Sequence, residues 1–206
     1  MLTRLFSILC MATVIFFAAN SQACAAKIVM ILDAPTSTFT EPEKVYSMVQ
    51  DTLSRILQDS SGYEILSLSD TENYVQIYRE ENDMIFSTGA EEGKHDEKWF
   101  KKEDLDNICT HFGGDYLIYT RITSTAPKVS VGIFSTSQKV NVVTDFRVWS
   151  NSRKDFSYMK RATMTGSSTA IYAGVGSSSR ALEKGLKKGL QDIEKDADKI
   201  KAALTE

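Results

Sequence analysis

Apolar positions recur along this chain with two periods, and the switches between them mark out the elements. Lys27 to Asp33 (KIVMILD) is a continuous apolar run rich in β-branched side chains, closed by Ala34-Pro35, and predicts a strand buried on both faces in mid-sheet. Thr40-Glu41-Pro42-Glu43 then opens a helix: Thr40 caps, Pro42 is tolerated in the first turn, and Glu43 reaches back as a capping box. Val45, Val49, Thr52, Leu53, Ile56 and Leu57 follow at helical spacing, and Ser61-Gly62 ends the helix. Tyr63 to Ser69 (YEILSLS) predicts a second strand, and Ser69 with Glu72 a capping box for a helix to about Glu80. From Lys102, a third helix places Leu105, Ile108, Cys109 and Phe112 on one face and stops at Gly113-Gly114, where a left-handed cap costs little.

Beyond this point the period shortens to two. Asp115 to Thr123 (DYLIYTRIT) reads as a buried strand, and Lys128 to Phe134, Lys139 to Ser150 and Asp155 to Thr165 read as an antiparallel meander with one face half-exposed. Val140, Val142, Phe146 and Val148 share one side of the middle segment, with Asn141, Asp145 and Arg147 opposite, and Asn151 to Lys154 makes the turn. Helical spacing returns in Leu182, Leu186, Leu190, Ile193, Ala197, Ile200 and Leu204, predicting one long helix from about Ser178 to Leu204. Gly185 and Gly189 flank its apolar stripe, where a missing side chain allows close approach to a sheet. The fold class is therefore α/β: a mixed sheet with helices packed on it, ordered strand-helix-strand-helix-helix, then the meander and the long C-terminal helix.

The N-terminus changes the picture of where this domain works. Leu5 to Ala19 is an apolar run of signal-peptide length behind Arg4, too short for a comfortable membrane span, and it ends in Asn20, Ser21 and Gln22. Small residues at Ser21, Ala23, Ala25 and Ala26 offer cleavage sites, so residues 1–26 are expected to be a signal peptide and 27–206 a single domain. Cys24 is a candidate lipidation site and hence a weak membrane attachment, although Ser21 stands where lipoprotein signals usually carry leucine.

Composition narrows the function classes. The chain carries 24 basic and 27 acidic residues, so it has no basic excess for phosphates, and no nucleic-acid partner is expected. Of its 3 cysteines, Cys10 and Cys24 belong to the leader region, which leaves Cys109 without a disulfide partner. Cys109 and His111 are two apart on a helix and point to different sides, so Cys109 reads as a buried inert thiol. His111 suits a helix C-terminus, where the macrodipole favours a cation. No GxSxG elbow or phosphate loop is present, and no catalytic, cofactor or metal residue is assigned. Two segments could still form a ligand site. Gly89 to Lys98 (GAEEGKHDEK) holds His95 and Asp96 in a charged loop, and Gly166 to Ser179 (GSSTAIYAGVGSSS) could offer backbone amides to an anion; both also read as solvated connections.

The order of elements, with FGGDYLIYTRIT leading into a meander and a glycine-serine link into the last helix, resembles envelope proteins of the TolB amino-terminal-like fold. These include the curli-export lipoprotein family and the outer-membrane lipoprotein activators of peptidoglycan synthases, in which a phrase like Gly114-Asp115-Tyr116-Leu117-Ile118 opens a central strand. The resemblance implies a docking or assembly role and carries over no functional residue. Two departures stand out: the lipid-attachment signal is poor, and the meander is too short and polar for the membrane-crossing hairpins of a curli-type pore.

Three functions are set against each other by this reading. The first is a non-enzymatic envelope protein whose sheet edge or exposed aromatics bind an envelope partner or a second copy, with Trp149, Tyr158 and Tyr172 as candidates that ordinary strand packing would equally explain. The second is a periplasmic ligand-binding or secreted enzyme domain using the 89–98 loop and the 166–179 segment. The third is an oligomeric pore component.

Overall fold

The computed structural model describes residues 25–34, 42–58, 62–84, 99–133, 135–171 and 177–205. The first strand, β1 (Ala26–Asp33), lies between two parallel neighbours, β2 (Tyr63–Leu66) and β3 (Tyr116–Ser124). This is the mid-sheet place its unbroken apolar run demands. β5 (Ser135–Ser150) pairs antiparallel with β3 and, further along the same edge, with β4 (Lys128–Val131). On its other edge β5 pairs with β6 (Asp155–Ile171) over its full length. The sheet is thus mixed and six-stranded, as expected of the α/β class.

Two helical layers sandwich it. Helix α1 (Pro42–Ile56) leads from β1 to β2, while α2 (Leu68–Glu81) and α3 (Lys102–His111) lead from β2 across to β3 on the other side of β1. Parallel crossovers are right-handed, so reversing direction across the sheet puts α1 on one face and α2 and α3 on the other. The C-terminal helices α4 (Ser178–Glu194) and α5 (Ala197–Ala203) join α1. Even-numbered side chains of β1, β3 and β5 (Ile28, Met30, Ile118, Val142, Phe146) pack against α1, α4 and α5. Odd-numbered ones (Val29, Ile31, Leu117, Tyr119, Trp149) pack against Val75, Leu105, Ile108 and Cys109 of α2 and α3.

Several boundaries differ from expectation for local reasons. Helix α2 starts at Leu68 rather than after Ser69, because Ser67 and Asp70 form the capping pair, the Ser67 N–H donating to Asp70 Oδ2 at 2.8 Å. That start buries Leu68, Thr71, Val75 and Tyr78 on one face. The long C-terminal helix is two helices. Asp196 breaks it by turning its carboxylate to Tyr158 (2.9 Å) and Lys160 (2.8 Å) on β6. β6 runs six residues past Thr165, so Gly166 to Ile171 is strand rather than connection. Thr40, expected to cap α1, lies outside the described residues. The left-handed cap after α3 is present at Gly113, φ 63°.

Gly166 explains how α4 seats so closely. A Cβ there would stand 1.6 Å from the Ala181 carbonyl oxygen, so strand and helix backbones touch directly. Gly185 and Gly189 face the sheet as predicted, over Val142 and Thr144.

Candidate functional site

β1 and β3 are parallel, and the chain leaves β1 toward opposite sides, so their carboxyl ends meet at a topological switch point. In open α/β sheets such crevices commonly hold ligands. Here the crevice holds charge. Asp33 at the end of β1 stands beside Arg121 of β3, Arg121 opposes Asp145 of β5, and Asp145 opposes Arg161 of β6. One row across four strands thus alternates in sign, the pairing that neighbouring strands favour.

Three of the four are buried, Asp33 and Arg121 at 1% exposure and Asp145 at 5%. Helix α2 adds Arg79, whose Nη2 lies 3.0 Å from Asp33 Oδ1. The Tyr119 hydroxyl donates to Asp33 Oδ2 at 2.8 Å, and Arg121 Nε lies 3.8 Å from the same oxygen. Aromatic rings from the segment entering α3 close the cluster. Trp99 lies over the Arg121 guanidinium at 3.7 Å, and Phe100 under that of Arg79 at 4.3 Å. Burial and the adjacent Asp33 charge push the Tyr119 phenol far above its ordinary value, so it stays a donor. The Asp33 carboxylate and the Tyr119 phenol thus already have partners, and the row crosses the place where the parallel half of the sheet meets its antiparallel half.

The residues singled out from sequence are scattered. Trp149 is 1% exposed and meets Phe156 edge-on at 5.5 Å, so it packs the core and presents no surface to a partner. Tyr158 is half-buried, its hydroxyl held by Asp196. Tyr172, Cys24 and the whole 89–98 loop with His95 and Asp96 lie outside the described residues. Cys109 is fully buried with its thiol on the Gly114 carbonyl at 3.2 Å, and burial pushes its pKa up to about 12. His111 ends α3 and stacks on Tyr74 at 3.6 Å. Among the described residues no three His, Cys, Asp or Glu side chains gather as a metal site. A groove of about 520 Å³ runs between α1 and α4, but ion pairs already cross it from Lys44 to Glu183 (2.9 Å) and from Arg55 to Glu194 (2.8 Å).

Among the described residues no strand pairs with the outer edge of β6. Asn141 directs its backbone N–H and carbonyl toward Thr125, away from β6. Its cross-strand partner Thr165 therefore directs its own backbone groups outward, and a Lys188 ammonium 3.3 Å from the Thr165 carbonyl agrees. By alternation Met159, Arg161 and Thr163 present theirs outward too. Nothing in the sequence distinguished this edge from the paired strands, because both carry the same alternation. Arg121 and Asp33 did carry a signal: each is a charge closing or interrupting an apolar strand, which burial tolerates only with a partner.

No protein-family model matches this chain, and no curated protein matches it. Among solved structures it is similar to lipoprotein GNA1162 from Neisseria meningitidis, with TM-score 0.36 and 15% identity over 82% of this chain and 99% of that one. It is similar also to a minor lipoprotein from Acinetobacter baumannii, with TM-score 0.39 and 8% identity over 84% and 92% of the two chains. TolB from Acinetobacter baumannii gives TM-score 0.36 and 12% identity over 88% of this chain and 28% of that one. No residue of this chain takes a role from these similarities.

Proposed function

We propose that this chain is an exported, non-enzymatic envelope protein that works by docking, taking an extended segment of a partner protein onto the outer edge of β6. The observation that carries the reading is the edge itself: a strand of 17 residues, flanked on its outer side by no other described strand. Long open edges are templates for strand addition, and proteins that do not use them usually cover them. The N-terminal leader supports the location, since its apolar run has the length and exit residues of an export signal.

Thr163→Pro tests this directly. Thr163 is exposed and its N–H faces outward, so proline there removes a donor from the open edge and leaves the β5 ladder whole. A photo-cross-linker at Arg161 is expected to give a discrete adduct with an envelope protein in intact cells. That adduct should fade in the Thr163→Pro background, and a cross-linker at Ser152 in the distant turn should give none. Adducts of equal strength with and without the proline would remove the edge from consideration.

A further inference from the structure

Past the end of β3, β4 and the first part of β5 continue as a hairpin closed by the Gly132 N–H on the Ser135 carbonyl at 2.7 Å. Its apolar side chains face water: Val129 is 56% exposed, Val131 79% and Ile133 91%. Just behind them Lys128 stands directly opposite Lys139, both exposed. Like charges in that position destabilise a ladder, and an anion set against both relieves the repulsion. Of the six basic residues from Tyr116 to Thr144 and from Phe156 to Leu182, Arg121, Lys160 and Arg161 sit against carboxylates elsewhere, so the positive charge at the hairpin is that of Lys128 and Lys139.

We propose that this hairpin is a membrane-surface anchor, in which Val131 and Ile133 enter the interfacial layer of a phospholipid bilayer and Lys128 and Lys139 meet its anionic phosphate headgroups. The spacing suits that layer. Val131 lies three positions beyond Lys128, roughly 10 Å along a strand, and interfacial elements bury their apolar face to about 5–10 Å. The apolar side chains sit on a protruding apex, which a soft interface accepts without a preformed pocket. Phosphate ions alone would satisfy the lysines and leave Ile133 in water. The hairpin also lies at the opposite end of the sheet from the start of β1, where the Asp115 N–H meets the Lys27 carbonyl and the Asn151 N–H meets the Asp115 carbonyl. The hairpin contact does not depend on a lipid at Cys24.

Flotation with vesicles, using the protein as exported by its cells, tests the anchor. Vesicles of phosphatidylethanolamine with phosphatidylglycerol are expected to carry the protein up the gradient, and phosphatidylcholine vesicles to carry much less. Ile133→Asp, at an apex that contributes nothing to the core, should weaken binding at least roughly tenfold. Lys128→Gln and Lys139→Gln should each weaken it roughly fivefold, and together should abolish its salt dependence. Inorganic phosphate matched to the lipid phosphate should not compete. Thr163→Pro and Cys24→Ala should float like the parent, which separates this proposal from docking at β6 and from lipidation. Three results would overturn it: no flotation with the anionic vesicles, equal flotation of Ile133→Asp, or displacement by inorganic phosphate. A dimer of the free protein that Ile133→Asp dissociates, with no flotation, would assign the apex to a second copy instead.

Discussion

At the scale of single residues, this fold leans on places where a side chain is missing or a charge is enclosed. Gly166 is the most constrained, because the atoms a Cβ would strike are backbone, the Ala181 carbonyl at 1.6 Å and the Gly185 nitrogen at 2.6 Å. Neither can rotate away, so Gly166→Ala must lift α4 off the sheet. We expect it to lower unfolding free energy by about 3 kcal/mol, the upper part of the range for overpacked cores. Gly185→Ala and Gly189→Ala meet side chains instead, Val142 Cγ2 at 2.7 Å and Thr144 Oγ1 at 2.8 Å, and should cost less. Gly62→Ala meets nothing within 4 Å and should be close to neutral. Denaturant midpoints of the four variants check this order, and a Gly166→Ala protein as stable as Gly62→Ala would refute the close seating.

At the scale of elements, the break between α4 and α5 is held electrostatically. Hydrogen bonds from Lys160 first, then Lys199 and Tyr158, hold the Asp196 carboxyl well below the usual carboxylate range. Lys160 also holds Asp192 low, and its ammonium reaches the Asp192 carbonyl at 2.6 Å. A folded-state pKa below the unfolded 3.8 means that the unfolded chain takes up the proton first as pH falls. The stabilisation is therefore complete above about pH 5 and fades below it as pH drops through the folded-state value. Asp196→Asn should unfold at lower denaturant than the parent at pH 7, with the gap narrowing as pH falls from about 5 toward 2. A gap that stays the same across that range would mean the asparagine disrupts packing rather than removing a charge.

At the scale of the whole molecule, the row through Asp33, Arg121, Asp145 and Arg161 runs from the parallel half of the sheet into the antiparallel half. Removing one member of a buried ion cluster leaves its partners uncompensated, which costs more than the cluster itself contributes. Asp33→Ala should thus cost about 3–5 kcal/mol, seen as an early unfolding transition by tryptophan fluorescence, since Trp99 reports on the Arg121 guanidinium it covers. A variant of parent stability would mean the row is not a brace. On the same scale the molecule separates its chemistry. The charge brace is enclosed in the middle, the open β6 edge runs along one side, and the cationic hairpin with its apolar apex stands at one end.

How much of this was legible varies with the range of the interaction. Element type, the buried place of Lys27–Asp33, the two faces of β5, the cap at Gly113 and the role of Gly185 and Gly189 follow from periodicity and backbone sterics, which act between residues close in sequence. The apolar run of residues 5–19, the carboxylate-free stretches and the charges set in Asp33 and Arg121 are likewise visible in the chain itself. Strand order, register and exposure are not, because they arise between residues far apart that no local pattern names. Only the tertiary structure could show that Trp149 is core, that Asp33 and Arg121 are neighbours, and that Ile133 stands at an apex. It alone decided that, among the described residues, β6 pairs on one side only, since a strand's alternation records which face is buried and says nothing about which edge is filled.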